Sequence, residues 1–192
     1  MCDKIRCDWV DGNEIYIKYH DFEWGRPVYD DDRLFEFLLL ESMQAGLSWI
    51  TILKKRENFR AAFDGFDPKK IIHYDNSKID SLMENAGIIR YRLKILAAIN
   101  NAKRFLEIVE EYQSFSKFIW RYVEGKPIIN EWETLTDIPA TTPLSDKISK
   151  DLKRLGFKFV GSTTIYAFIQ AIGMVNDHQV NCFVRKEIIK TL

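Results

Sequence analysis

Apolar residues recur at helical spacing along most of the chain, and strand-like alternation is scarce. Residues 33–44 are apolar nearly all round, at Leu34, Phe35, Phe37, Leu38, Leu39 and Leu40, with Asp30 to Asp32 in front as candidate caps. That pattern predicts a central, buried helix. Ser48 is placed to cap a second helix over 49–63, and Asp67-Pro68 opens a short one. Ser77 starts another, which Gly87 ends, and residues 90–112 keep a long helical period through Ile95, Leu96, Ile99, Ala102, Phe105, Leu106 and Val109. A short amphipathic helix follows over 116–123. Pro143 and Ser145 precede a helix that Gly156 stops, and Ser162 or Thr163 caps one that runs to Ile172 before Gly173. "EIYIKY" near the start is the best strand candidate, and the tail 183–192 can form a short helix. The expected class is all-α.

One residue breaks the pattern. Glu41 follows Leu34, Phe37 and Leu38 by one and two turns and precedes Ala45 by one, so its carboxylate shares a face with apolar side chains near Trp49. Burying an unpaired carboxylate is costly. Either a nearby Arg or Lys neutralises it, or it serves a site.

Composition narrows the classes. With 192 residues the chain can bury one full core and a small second lobe. Hydrophobic residues make up 46% and charged residues 29%, as in a folded globular protein. Aromatics reach 14% with five Trp, enough for some rings to line a site, although core packing explains any single one. Lys+Arg and Asp+Glu both number 28, which argues weakly against a basic nucleic-acid binder, since a local patch is hidden in a net charge of zero. No apolar run approaches the ~20 residues of a membrane span, and "MCDKIRCDWVDG" lacks an apolar signal core. A cytoplasmic monomer is expected, in a compartment where disulfides are rare.

The cysteines therefore need another reading. Cys7 and His20 lie near the start, His178 and Cys182 near the end with H-x3-C spacing, which places the latter two on one side of a helical turn. Two thiolates and two imidazoles suit a closed, tetrahedral, structural zinc site joining the two ends of the chain. Four unrelated residues, with buried thiols and a core histidine, remain the alternative. Cys2 and His73 have no such pairing and read as a terminal thiol and a surface loop residue.

"SLMENAGIIRYRLKILAAINNAKRF" carries a helix, a glycine turn and a basic helix start. The amides at such a helix start suit a phosphate, and Arg90, Arg92 and Lys94 add positive charge. The element resembles the helix-hairpin-helix of DNA repair proteins; an ordinary helical turn with a solvated basic face is the alternative. "LKKRENFR" (53–60) likewise reads either as a DNA-facing stripe or, better, as a solvated helix face. Ser162, Thr163 and Thr164 either reach a pocket or cap a helix, and capping is the simpler reading.

Taken in order, "CDWV", "YIKYHDFEWGRPVYDD", "LFEFLLLESMQAGLSWITILKKRENFRAAF", "FDP", "AGIIRYRLKI", "LSDKISKDLKRLGFKFVGSTTIYAFIQAIGMVNDH" and Cys182 resemble the 3-methyladenine DNA glycosylase I family over about residues 5–182. The resemblance implies a helix-hairpin-helix glycosylase in one unit over 1–192, with a hairpin lobe at about 70–142 and a zinc-containing lobe from 1–69 and 143–192. It implies zinc on Cys7, His20, His178 and Cys182, and a pocket in which Glu41 hydrogen-bonds the damaged base between Tyr19, Trp24 and Trp49. Gly46 and Leu47 match the loop that enters the DNA stack, and Gly87, Arg90, Arg92 and Lys94 match the backbone anchor. The implied substrate is duplex DNA bearing alkylated adenine, and free 3-methyladenine is the product. The implied reaction is hydrolysis of the N-glycosidic bond after base flipping, with Glu41 as the catalytic carboxylate. No Asp matches the sugar-cation stabiliser of related enzymes, and no Lys nucleophile is evident. Two other functions compete: a zinc-stabilised damage-binding module without catalysis, and a thiol hydrolase built on Cys182 and His178.

Overall fold

The computed structural model describes residues 4–192; Cys2 lies outside them. Among the described residues the helices are α1 (Glu14–Phe22), α2 (Asp31–Gln44), α3 (Trp49–Ala62), α4 (Pro68–Ile71), α5 (Asn76–Glu84), α6 (Arg92–Tyr112), α7 (Phe115–Trp120), α8 (Pro143–Arg154), α9 (Ser162–Ala171) and α10 (Phe183–Ile189). Two-residue strands β1 (Ile128–Ile129) and β2 (Val175–Asn176) pair in parallel, Ile128 opposite Val175. The fold is thus mostly helical, as expected, with this one small exception.

Short polar side chains start most helices by accepting free amides of the first turn. Asp30 accepts from the Arg33 amide, Asp67 from Lys69 and Ser114 from Lys117, while Thr142 and Ser145 cap α8 reciprocally. Three starts differ from expectation. Asp75, not Ser77, caps α5. Gly161 is the cap position of α9, and the Ser162 hydroxyl turns to Asp146 and Ser145 instead. "EIYIKY" is the body of α1, because Asn13 caps it and only Tyr19, His20 and Asp21 of that helix are buried. Its apparent alternation was too short to distinguish the two periods.

α2 is central, as its all-round apolar pattern predicts: Leu34, Leu38 and Leu40 have no exposure, and the helix packs against α3, α6, α7 and α9. Phe35 meets Phe105 of α6 with ring centres 4.9 Å apart, and Phe105 meets Phe115 of α7 at 4.5 Å. Each fully buried Leu or Phe contributes roughly 1.5–3 kcal/mol. The buried apolar residues form one continuous cluster from Cys7 to Ile188. The tail does form a helix, α10, which packs Val184 and Ile188 inward.

The α3 stripe is not simply solvated, because Arg56 and Arg60 of it are drawn into ion pairs. Buried Glu36 of α2 accepts from Arg33 at 2.7 Å, Arg56 at 2.8 Å and Arg60 at 2.7 Å. Glu23, just after α1, accepts from Arg33 at 2.9 Å and Arg56 at 2.8 Å. Three helices are therefore tied through one ion-pair network. Glu36→Ala would leave the Arg56 guanidinium without its buried partner, and guanidinium unfolding should show a loss of about 3–5 kcal/mol.

Candidate functional site

Glu41 lies on the buried side of α2, three residues before its end. It makes no ion pair among the described residues, and its buried Oε2 has no hydrogen-bond partner. The carboxyl forms part of the wall of a cavity of about 180 Å³. A void of about 150 Å³ holds a single benzene ring, so the space suits an aromatic heterocycle. Tyr19 and Trp24 come from α1 and its end, and Trp49 from the first turn of α3; their ring centres converge, with Tyr19 and Trp49 5.5 Å apart. The structure therefore brings together all four residues expected around the pocket.

It also adds Trp9, Tyr16, Gln44, Ala167 and Gln170. Trp9 sits edge-on to Tyr16 at 5.4 Å and to Trp24 at 5.2 Å. The Tyr16 hydroxyl accepts from the Ile50 amide at 3.1 Å, joining α1 to the start of α3. Gln170 is oriented by Asp177, which accepts its side-chain amide at 2.8 Å. Only the aromatic excess in the sequence hinted at these residues; nothing in the local pattern separates a wall residue from a core one. Buried polar groups are nearly always paired, so the unpaired Glu41 carboxyl, in a residue that lines the cavity, is an open valence for a ligand.

Burial alone raises the Glu41 carboxyl to about 8. Burial, then the nearby Glu41 charge, push the Tyr19 phenol well up, so it stays a neutral hydroxyl. A cation or a hydrogen-bond donor in the cavity would favour the ionised form of Glu41.

A second cavity, of about 170 Å³, adjoins the first across Glu41, Gln44 and Ala167 and is bordered by Gly46, Leu47, Thr163 and Thr164. Thr163 and Thr164 thus reach a cavity, which the capping reading missed. Gly46 adopts φ +82°, a conformation that favours glycine, and turns the chain so that Leu47 is 40% exposed beside the cavity mouth. Arg90 and Arg92 are exposed on the 85–91 turn and the start of α6, and Arg92 pairs with Asp80 at 2.8 Å. The Gly87 amide is taken by Asn85 at 2.8 Å. Lys94 departs from expectation: it is 6% exposed, and its ammonium donates to the carbonyls of Met43 at 2.7 Å and Ala45 at 2.6 Å. It points into the protein, away from any phosphate outside. His73 is exposed, as expected.

Cys7, His20, His178 and Cys182 meet in a buried cluster whose ligand atoms all lie within 4.8 Å of one another. Cys7 Sγ is 3.4 Å from His178 Nδ1, and Cys182 Sγ is 3.4 Å from His20 Nε2 and 3.5 Å from His178 Nδ1. The outer ring nitrogens are already engaged: His20 Nδ1 with Asp21 at 2.8 Å, and His178 Nε2 with the Trp24 carbonyl at 2.9 Å. Such contacts orient imidazoles toward a metal. The cluster can hold a metal ion. A hydrogen bond between the thiols holds Cys182 well below the usual thiol range and Cys7 above it, so one sulfur has thiolate character. Gly25, at φ +75°, lies so close that a Cβ would stand 2.7 Å from His178 Nε2. Full burial of Cys182 and His178 leaves a substrate no access to them, against the thiol-hydrolase reading.

The fold and site define a class: a helical protein with an uncommitted carboxyl in an aromatic cavity and a Cys2His2 cluster where its two terminal segments meet. More narrowly, the chain belongs to the methyladenine glycosylase family, whose sequence model matches residues 9–186. It is 50% identical over 177 residues to the DNA-3-methyladenine glycosylase of Haemophilus influenzae, covering 92% of this chain and 96% of that one. Identity is also 50% over 177 residues to DNA-3-methyladenine glycosylase 1 of Escherichia coli, covering 92% and 95%. A crystal structure of 3-methyladenine DNA glycosylase I superposes with a TM-score of 0.91 at 51% identity, over 93% of this chain and 98% of that one. A Staphylococcus aureus 3-methyladenine DNA glycosylase I, solved to explain 3-methyladenine recognition, gives 0.91 at 41% identity, over 94% and 96%.

The Glu41 environment sets a pH dependence. Its folded pKa of about 8 lies above the ordinary 4.5, so between these values the unfolded chain loses a proton that the folded one keeps. This group therefore favours folding most below pH 4.5, and that contribution is lost as pH rises toward 8. Relative to the parent, Glu41→Gln should gain stability from pH 5 to pH 9, by on the order of a few kcal/mol, in denaturant titrations of the ligand-free protein.

Proposed function

We propose that this protein is a monofunctional DNA repair glycosylase that hydrolyses the N-glycosidic bond of 3-methyladenine in alkylated duplex DNA and leaves an abasic site. One observation carries the reading: a fully buried carboxyl without a partner, set in an aromatic cavity sized for one heterocycle. The names of its relatives, DNA-3-methyladenine glycosylases, support the substrate.

The lesion must leave the stack before it can reach such a cavity. Leu47, on the loop turned by Gly46, is suited to fill the vacated space. The 85–91 turn and the start of α6, with Arg90 and Arg92, serve as the helix-hairpin-helix anchor on the sugar-phosphate backbone. Tyr19, Trp24 and Trp49 offer electron-rich faces to the base, which is cationic while attached to the sugar. That charge favours ionised Glu41, which then accepts a hydrogen bond from the adenine edge. Guanine would present the O6 acceptor there and be disfavoured.

The methylated base is a good leaving group, so the bond breaks through an oxocarbenium-like transition state with little need for proton donation. Water completes the hydrolysis. Lys94, a buried lysine, has its ammonium bound to the Met43 and Ala45 carbonyls, so it is not offered as a nucleophile for strand cleavage. Rate enhancement comes mainly from holding the flipped, activated base.

Cys7, His20, His178 and Cys182 are assigned to one zinc ion. Bound there, it supplies a cross-link between the terminal segments and no open position for chemistry. The protein acts as a cytoplasmic monomer, with residues of about 70–142 as the hairpin lobe.

Two measurements test this. Incubation with methylated duplex DNA should release free 3-methyladenine, and Glu41→Gln should slow release by about 10²–10³-fold. Trp49→Ala should weaken binding of free 3-methyladenine by roughly 1–3 kcal/mol. An active Glu41→Gln protein would remove the carboxyl from the mechanism, while DNA binding without release would leave a damage-binding module. Separately, metal analysis should find about one zinc per chain. Cys7→Ser should lower the Tm while the folded fraction keeps its preference for 3-methyladenine over other purines.

A further inference from the structure

α2 ends at Gln44, and the loop carrying Gly46 and Leu47 follows directly. The last carbonyls of a helix have no partners within it and attract a cation. α2 has no basic residue in its last turn. The cation comes from far along the chain: Lys94, in the first turn of α6, puts its ammonium between the carbonyls of Met43 and Ala45. Burial lowers its pKa, but two carbonyls compensate the ammonium where it sits. The same first turn of α6 continues the 85–91 hairpin. That hairpin is also held from behind, where Lys55 of α3 donates to the carbonyls of Ala86 at 2.9 Å and Gly87 at 3.2 Å. On the other side of Lys94 the loop closes on itself, the Leu47 amide donating to the Gln44 carbonyl at 2.6 Å, a local turn that does not tie it to the hairpin. Ala45 leaves helical geometry, Gly46 is at φ +82° with open space around it, and Leu47 is half exposed.

We propose that Lys94 is a positioning residue for base flipping: it fixes the loop bearing Leu47 to the hairpin that grips the DNA backbone. A duplex held at Arg90 and Arg92 then meets Leu47 at a set distance, and the base displaced by Leu47 meets Glu41 on the last turn of α2, just before that loop. The inference rests on the roles proposed above for Leu47 and the hairpin. Lys94 touches neither DNA nor base; it acts through Ala45 to Leu47.

Lys94→Met keeps the apolar stem and removes the cation. Single-turnover release of 3-methyladenine from duplex DNA should slow by about 10- to 100-fold, as for a misplaced reacting group. Affinity for the free base should stay within about twofold, since the cavity walls do not include Lys94. The dependence of duplex affinity on salt should be unchanged. In a double-mutant cycle, Lys94→Met added to Leu47→Ala should cost no more than Leu47→Ala alone. If Lys94→Met does not fold, Lys94→Arg carries the same cycle. It keeps the charge for any phosphate but cannot place one ammonium between the two carbonyls, so it too should slow release.

A salt slope reduced by about 1 would instead make Lys94 a phosphate contact and overturn the inference. So would additive costs in the cycle, or an undiminished rate in both Lys94 variants of an active parent. A parent that releases no 3-methyladenine would overturn the proposed function itself, and this inference with it.

Discussion

A carboxyl buried without a counter-charge is the constraint on which the rest of this structure depends. α2 carries two buried acids on its inner side, and they are treated in opposite ways. Glu36 is surrounded by Arg33, Arg56 and Arg60, so its burial is offset by ion pairs. Glu41, little more than one turn later, receives none among the described residues. Burial therefore raises its pKa to about 8 and leaves it poised near neutrality, responsive to whatever charge enters the cavity. Aromatic walls offer faces instead of charges, so a flat, electron-poor ring is the ligand that satisfies both wall and floor.

The metal-ligand cluster and the cavity are not separate features. Tyr19 and His20 are consecutive on α1, one facing the cavity and the next facing the cluster. Trp24 packs edge-on against His178 at 4.6 Å, and Trp9 against His20 at 5.3 Å. Cys7 itself lies two residues before Trp9. Whatever orders the cluster therefore orders the back wall of the cavity. The segment that supplies His178 is held further by β1 and β2, and by Asp177, which accepts from Tyr166, Gln170, Asn130 and Trp132. A fold of short helices thus achieves a rigid wall by clamping both terminal segments onto α1.

Helix positions were largely legible before the structure, and the resemblance placed Tyr19, Trp24 and Trp49 around Glu41. Caps such as Asp30, Asp67 and Ser114 act within three residues, so a linear sequence displays them. The errors were also local: Asp75 caps α5 where Ser77 was expected, and six residues of α1 imitate a strand. Among the cavity-lining residues, Trp9 and Tyr16 were missed because a wall aromatic and a core aromatic have the same local pattern. Lys94 was misassigned because a basic residue at a helix start has the same sequence whether it faces phosphate or a neighbouring helix.

By itself, then, the sequence determined a helical chain, a family, the chemical types gathered at its two ends and one acid that did not belong on an apolar face. The family follows from the resemblance of whole motifs in order, and the rest from periodicity, capping and residue chemistry, which are properties of neighbours along the chain. Only the tertiary structure decided which charges are neutralised. Arg56 and Arg60 reach Glu36 across 20 and 24 residues, Lys94 reaches Met43 across 51, and among the described residues no cation pairs with Glu41. Coulomb and desolvation terms depend on distance in space and on what excludes water, and neither quantity exists until the helices have packed.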